Sequence, residues 1–153
     1  MSLWHFHPIF VHFAVALLFT ASVLFIVAAY ARGKSWAPTC LSVARWDFWL
    51  GILMALFTAV TGLLAYFTVP DIDESTRAAI NKHAIAAVVT AATYLTLAFF
   101  LWRRQSQQLP PSNAWTATLI LAIALITYTA YLGGGLVFMH GVGVMHVAQA
   151  MNY

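Results

Sequence analysis

The sequence predicts an all-α integral membrane protein, a four-helix bundle with both termini on the periplasmic side. Three observations carry that expectation. Only 7% of the 153 residues are charged, against about 25% in soluble domains. The apolar residues gather into four runs, each close to the roughly 20 residues that cross a bilayer. The basic residues are shared unequally between the connections that separate those runs. The whole chain, 1–153, reads as a single transmembrane domain, with no internal repeat, no low-complexity tract and no room for a second domain.

Span one, about 8–31, opens at Pro8, and proline suits the first helical position. It stops at Arg32-Gly33-Lys34. It lacks a basic leader and its apolar run is too long for a signal peptide, so the segment is expected to be retained despite "AAYA" at 28–31. Span two, about 48–69, stops at Pro70. Its Gly51, Ala55, Ala59 and Gly62 form a close-packing face for another helix. Span three, about 78–102, stops at Arg103-Arg104, with Ser75 as the N-cap of its helix. Span four, about 114–132, is expected to end at Gly133-Gly134-Gly135, leaving 133–153 as a periplasmic tail. Trp4, Trp36, Trp46, Trp49, Trp102 and Trp115 fall near span ends, as an aromatic belt would.

Charge sets the orientation. Arg32, Lys34 and Arg45 lie in or beside the first connection, and Arg103 and Arg104 in the third. Against these five, the second connection has Arg77 and Lys82 beside Asp71, Asp73 and Glu74. The positive-inside rule places the first and third connections in the cytoplasm. The basic residues do not gather on a polar surface, so nucleic acid is not an expected partner. Cys40 is the only cysteine, which excludes an internal disulfide, a Cys-x-x-Cys-His haem attachment and a thiolate metal site.

The six histidines carry the functional signal. His5, His7 and His12 lie at the start of span one, His83 at the start of span three, and His140 and His146 after span four. With an even number of spans, all six lie toward one face. A histidine inside a membrane is a functional candidate by default. His12 is about 6 Å along its helix from Pro8; His83 enters span three at comparable depth, beside a Lys82 that can snorkel outward. His7 and His12 diverge by roughly 140° around the helix, so they cannot easily serve one centre together. Ala16 lies a turn from His12, and Ala87 and Ala91 lie along from His83. Such small residues either leave space for a flat macrocycle or let helices pack closely.

Imidazole alone suits haem, copper or zinc. The spans contain no internal carboxylate, which zinc and copper sites often recruit and proton-coupled transporters need. The expected chemistry is therefore electron transfer through b-type haem with His7, His12, His83 and His140 as axial ligands. The divergence of His7 and His12 favours two haems over one: His12 with His83 and His7 with His140, or His7 with His83 and His12 with His140. Expected partners are the lipid bilayer, a periplasmic c-type cytochrome or quinone, and other membrane subunits. With little mass outside the bilayer, the chain reads as an electron-transfer subunit rather than an enzyme in its own right. Two other readings stand beside this one: a cofactor-free structural or assembly subunit, and a copper- or zinc-binding protein at the periplasmic face.

"HPIFVHFAVALL" (7–18) resembles the His-Pro-x-x-Val-His-Phe-Pro opening of a bacterial four-helix membrane family known only as predicted membrane proteins of unknown function. "YLGGGLVFMHGVGV" (131–144) resembles its closing motif, Gly-Gly-x-Leu-Val-x-x-His-Gly-Val-Gly-Val, and His83 in "NKHAIAA" also fits. The resemblance spans the chain. It implies the four-helix fold, the bacterial inner (cytoplasmic) membrane, and His7, His12, His83 and His140 as the recurring set; it implies no activity. Ala14 stands where the motif has its second proline, and Gly135 and Met139 stand where polar residues are common.

Overall fold

A computed structural model describes residues 6–31, 33–69, 72–103 and 112–143. Trp4, His5, Arg32, Pro70, Asp71, Arg104, Met145, His146 and Met151 lie outside the described residues, as does the tail from 144 onward. Four helices follow one another: α1 (His7–Tyr30), α2 (Ala37–Thr68), α3 (Glu74–Arg103) and α4 (Asn113–Phe138). Each is long and apolar enough to cross a membrane.

α1 matches its predicted span, but the other three helices outrun theirs, each for its own reason. α2 starts at Ala37, with a proline in its first turn. Its 32 residues extend about 48 Å, beyond a hydrocarbon core of about 30 Å, so Arg45 and Asp47 can be helical while solvated at headgroup depth. α3 starts at Glu74 because Asp73 caps it: its carboxylate accepts from the Thr76 amide at 2.6 Å and from the Ser75 hydroxyl at 3.1 Å. Asp73, not Ser75, is the capping residue. α4 runs through the glycine triplet to Phe138. Lipid offers a freed amide no alternative partner, so the glycines stay helical, and left-handed backbone appears only afterwards, at Gly141 (φ 62°) and Gly143 (φ 87°). At the other end of α4 the Ser112 hydroxyl accepts from the Trp115 amide at 3.3 Å.

The helices form a ring. α1 packs most extensively on α2, α3 on α4, and α1 on α4; α2 meets α3 only sparsely and does not reach α4. In lipid no hydrophobic force drives helices together, so close van der Waals contact does. Gly51 provides it between α1 and α2: a Cβ there would lie 2.8 Å from Leu18 Cγ.

The core fills the ring from its middle to the end where α1 joins α2 and α3 joins α4. Leu18, Phe25, Phe48, Tyr94, Leu97, Trp115 and Leu119 make it up. Phe25 meets Phe48 edge-on at 5.9 Å and Trp115 at 6.1 Å; Phe48 lies 6.2 Å from Tyr94. The Tyr94 hydroxyl is satisfied by Ser22 at 3.1 Å. Lys34, Arg45 and Arg103 belong to this half, called here the basic end. The opposite half is the histidine end.

Candidate functional site

Two helical hairpins, α1–α2 and α3–α4, each seat one histidine on a glycine of the partner helix. In the first hairpin His7 opens α1 and leans on α2. A Cβ at Gly62 would lie 2.8 Å from His7 Cε1 and 3.2 Å from its Nδ1. In the second, His83 of α3 leans on α4, where a Cβ at Gly133 would lie 3.1 Å from His83 Cε1. Any larger residue would displace the ring. His83 is close enough for its charge to act on His7, so the two imidazoles lie at the same end of the bundle, each against its own hairpin partner.

The two rings are held differently. His7 Nδ1 lies 3.1 Å from the Thr58 carbonyl and 3.3 Å from Thr61 Oγ1. A carbonyl only accepts, so Nδ1 carries the proton and Nε2 keeps its lone pair. Thr61 donates its own hydroxyl to the Phe57 carbonyl at 2.8 Å, which turns its lone pairs toward His7. For His83, the Thr129 carbonyl stands beside the ring, yet Nδ1 is buried and has no hydrogen-bond partner among the described residues. Leaving a buried polar nitrogen unpaired costs about 1–3 kcal/mol, so this atom is one that an added group or water would satisfy.

His12 and His140 stand apart from this pair. His12 is exposed, and its Nδ1 donates to the Pro8 carbonyl of its own helix. His140 follows α4 and lies 3.3 Å through Nδ1 from the hydroxyl of the buried Thr76. Asp73 is near enough for His140 to act on it; with hydrogen bonds from Thr76 and Ser75 as the main cause, its carboxyl is held below its ordinary value of 3.8. The structure thus leaves His7 and His83 as the two half-buried histidines at this end, each against a glycine of its partner helix. His12 meets neither His83 nor His140, and His140 is turned to Thr76.

Several residues of the site escape a reading by residue type. Gly62 is visible in the sequence as a packing residue, and Gly133 as part of a span-ending triplet, but neither as a histidine seat. Thr58, Thr61, Thr76 and Thr129 give no signal, because threonines are ordinary in transmembrane helices. Below the pair, Thr90 and Thr129 join α3 to α4 through their hydroxyls at 2.8 Å. Among the described residues no three His, Cys, Asp or Glu side chains converge on one point.

Fold and site together define a small polytopic membrane protein, packed tightly at one end and polar at the other. The chain belongs to the family described as predicted membrane protein (DUF2231), whose model matches residues 5–146. No curated protein and no solved structure matches it.

Proposed function

We propose that the chain is a membrane-embedded b-type cytochrome, relaying electrons through one haem b held axially by His7 and His83. The observation that carries this reading is two half-buried imidazoles at one end of the bundle, one from each hairpin, each seated on a glycine of the partner helix. An ion bound only by protein usually needs three or four side chains; the iron of a haem already has four nitrogen ligands and needs two. His7 fits that role, because a ligating histidine typically donates its other ring N–H to a carbonyl, as His7 does to Thr58. His83 fits it through the unpaired Nδ1 and the Gly133 seat.

When bound, a haem would supply one-electron chemistry, with His7 and His83 as the residues that would hold it. The chain's own residues do the rest. The Thr58 carbonyl and the Thr61 hydroxyl fix the His7 tautomer. Gly62 and Gly133 admit the rings at the depth the hairpins set. The aromatic core closes the bundle toward the basic end. By the positive-inside rule the histidine end faces the periplasm of a bacterial inner membrane, where a c-type cytochrome, a quinone or another membrane subunit is the exchange partner. His12 and His140 lie outside the ligand pair, so the expected count is one haem per chain. A pyridine haemochrome assay on protein purified from haem-sufficient cells tests this: a Soret band, a reduced α band and one haem per chain are expected.

One observation favours a second reading, a cofactor-free structural subunit. The bonds of His7 to Thr58 and of His140 to Thr76 tie helix to helix and to the connections, as interhelical clamps do. A colourless protein of unchanged stability in haem-depleted cells would favour it.

A further inference from the structure

We propose that the α2–α3 seam binds one anionic phospholipid at the basic end, its phosphate on the guanidinium of Arg45. The proposal is independent of the haem reading, since it concerns the opposite end of the bundle.

The placement of Arg45 follows from its neighbours on α2. Gly51 faces α1, in contact with Leu17 and Leu18, and Cys40 faces it too, its thiol donating to the Leu24 carbonyl at 3.5 Å. Arg45 is six residues from Gly51 and five from Cys40, hence roughly 120–140° around the helix from the α1 direction. Phe48 points to the middle of the bundle, touching both Phe25 of α1 and Tyr94 of α3. Arg45 lies roughly 60° beyond Phe48 on the side away from α1. The only other helix that α2 meets is α3. Arg45 therefore sits at the α2–α3 seam, the most sparsely packed side of the ring.

Its chemistry is incomplete there. Nε is buried and has no hydrogen-bond partner among the described residues. The side chain as a whole is only half-buried, at a depth where its guanidinium can take a counter-charge from outside the bundle. Asp47, two residues on, is turned roughly 200° from Arg45 around the helix. Depth points to the partner. Arg45 is about 12 Å from the start of α2, next to Trp46, which is 70% exposed, as belt residues at the headgroup level are. Phosphates lie at that level, and a guanidinium binds phosphate through a two-pronged fork. The loosely packed seam beyond it can take an acyl chain against exposed apolar residues of α2 and α3.

The test reads lipid selectivity. The full-length protein, purified in mild detergent, is heated with phosphatidylglycerol, with phosphatidylcholine, or with inorganic phosphate at equal concentration, and retained lipid is counted by native mass spectrometry. Phosphatidylglycerol should raise the unfolding temperature and be retained about fivefold over phosphatidylcholine, the preference one basic residue gives near the surface; inorganic phosphate alone should do little. Arg45→Gln should abolish the preference, while Arg103→Gln, whose side chain stacks on Phe99, should keep most of it. If Arg45→Gln does not purify, Arg45→Lys should show a reduced preference, because it keeps charge but loses the fork. Equal retention of both lipids by the wild type, or an undiminished preference in the Arg45 variants, overturns the proposal. A response to inorganic phosphate as large as that to lipid also overturns it, by making the ligand a free anion.

Discussion

The two ends of the bundle are built from different materials. Toward the basic end the interior is large and apolar: Phe25, Phe48, Leu97 and Leu119 are almost completely shielded, and Tyr94 spends its one hydroxyl on Ser22. Toward the histidine end, apart from Ile80, the inward positions are mostly small or polar. Glycines 62 and 133, threonines 58, 61, 76, 90 and 129, and histidines 7, 83 and 140 occupy them. Because packing density holds membrane helices together, the first end supplies most of the stability, and the haem proposal puts the ligand at the second. Stability and spectroscopic effects should therefore separate by position.

The largest expected effect on stability is Phe48→Ala. Phe48 touches Phe25, Trp49 and Tyr94, and truncating a buried phenylalanine costs about 3–5 kcal/mol. Unfolding in mixed micelles with a denaturing detergent measures it. His83→Ala, by contrast, removes an unpaired nitrogen, and should leave the apoprotein within about 1 kcal/mol of the wild type. If the two variants were equally destabilised, the division of labour between the ends would be wrong.

Within the histidine end, the glycines rank by the room behind them. Gly62→Ala drives a Cβ to 2.8 Å from a His7 ring that two bonds hold in place. Overpacking of this kind costs about 1–3 kcal/mol, and the ring must shift, moving any spectrum that His7 supports. Gly133→Ala meets His83 at 3.1 Å and should be milder. Gly134 has nothing within 4 Å, so Gly134→Ala should be neutral or stabilising by up to about 1 kcal/mol, through helix propensity alone.

How far the sequence foresees this depends on the level. Four apolar runs and their terminators lead directly to four helices, because span length is set by bilayer thickness. The helix ends beyond the bilayer do not follow from hydropathy: Asp73 and the first turns of α2 lie where polar sequence and helix coincide. The inward face is the harder matter. In a soluble helix, apolar periodicity marks it; here the helices are apolar nearly all round, so lipid-facing and core-facing positions look alike. That is why His12, the deeper residue from the start of α1, reads as the better ligand, although the structure turns it outward and seats His7 on Gly62. Which of two residues 140° apart faces the bundle is decided by where glycine lets the neighbouring helix approach.

Smaller effects sharpen the contrast at the helix ends. Ser112→Ala removes the cap of α4 at the basic end and should cost about 1 kcal/mol, leaving the histidine pair untouched. At the histidine end, Asp73 has a depressed pKa, so its contribution to the first turn of α3 is present above its ordinary value of 3.8 and is lost as pH falls through the lower, folded-state value. Amide exchange at Thr76 should stay slow from neutral pH down to that range and quicken below it. Asp73→Asn, which keeps a capping oxygen, should remove the acid dependence.

The most direct test of the histidine pair is the spectrum of the oxidised and reduced protein in four single variants. A six-coordinate, low-spin haem is expected in the wild type, in His12→Ala and in His140→Ala. In His7→Ala and in His83→Ala the haem should be five-coordinate or absent. A wild-type protein without haem, or wild-type spectra in both His7→Ala and His83→Ala, would contradict the assignment.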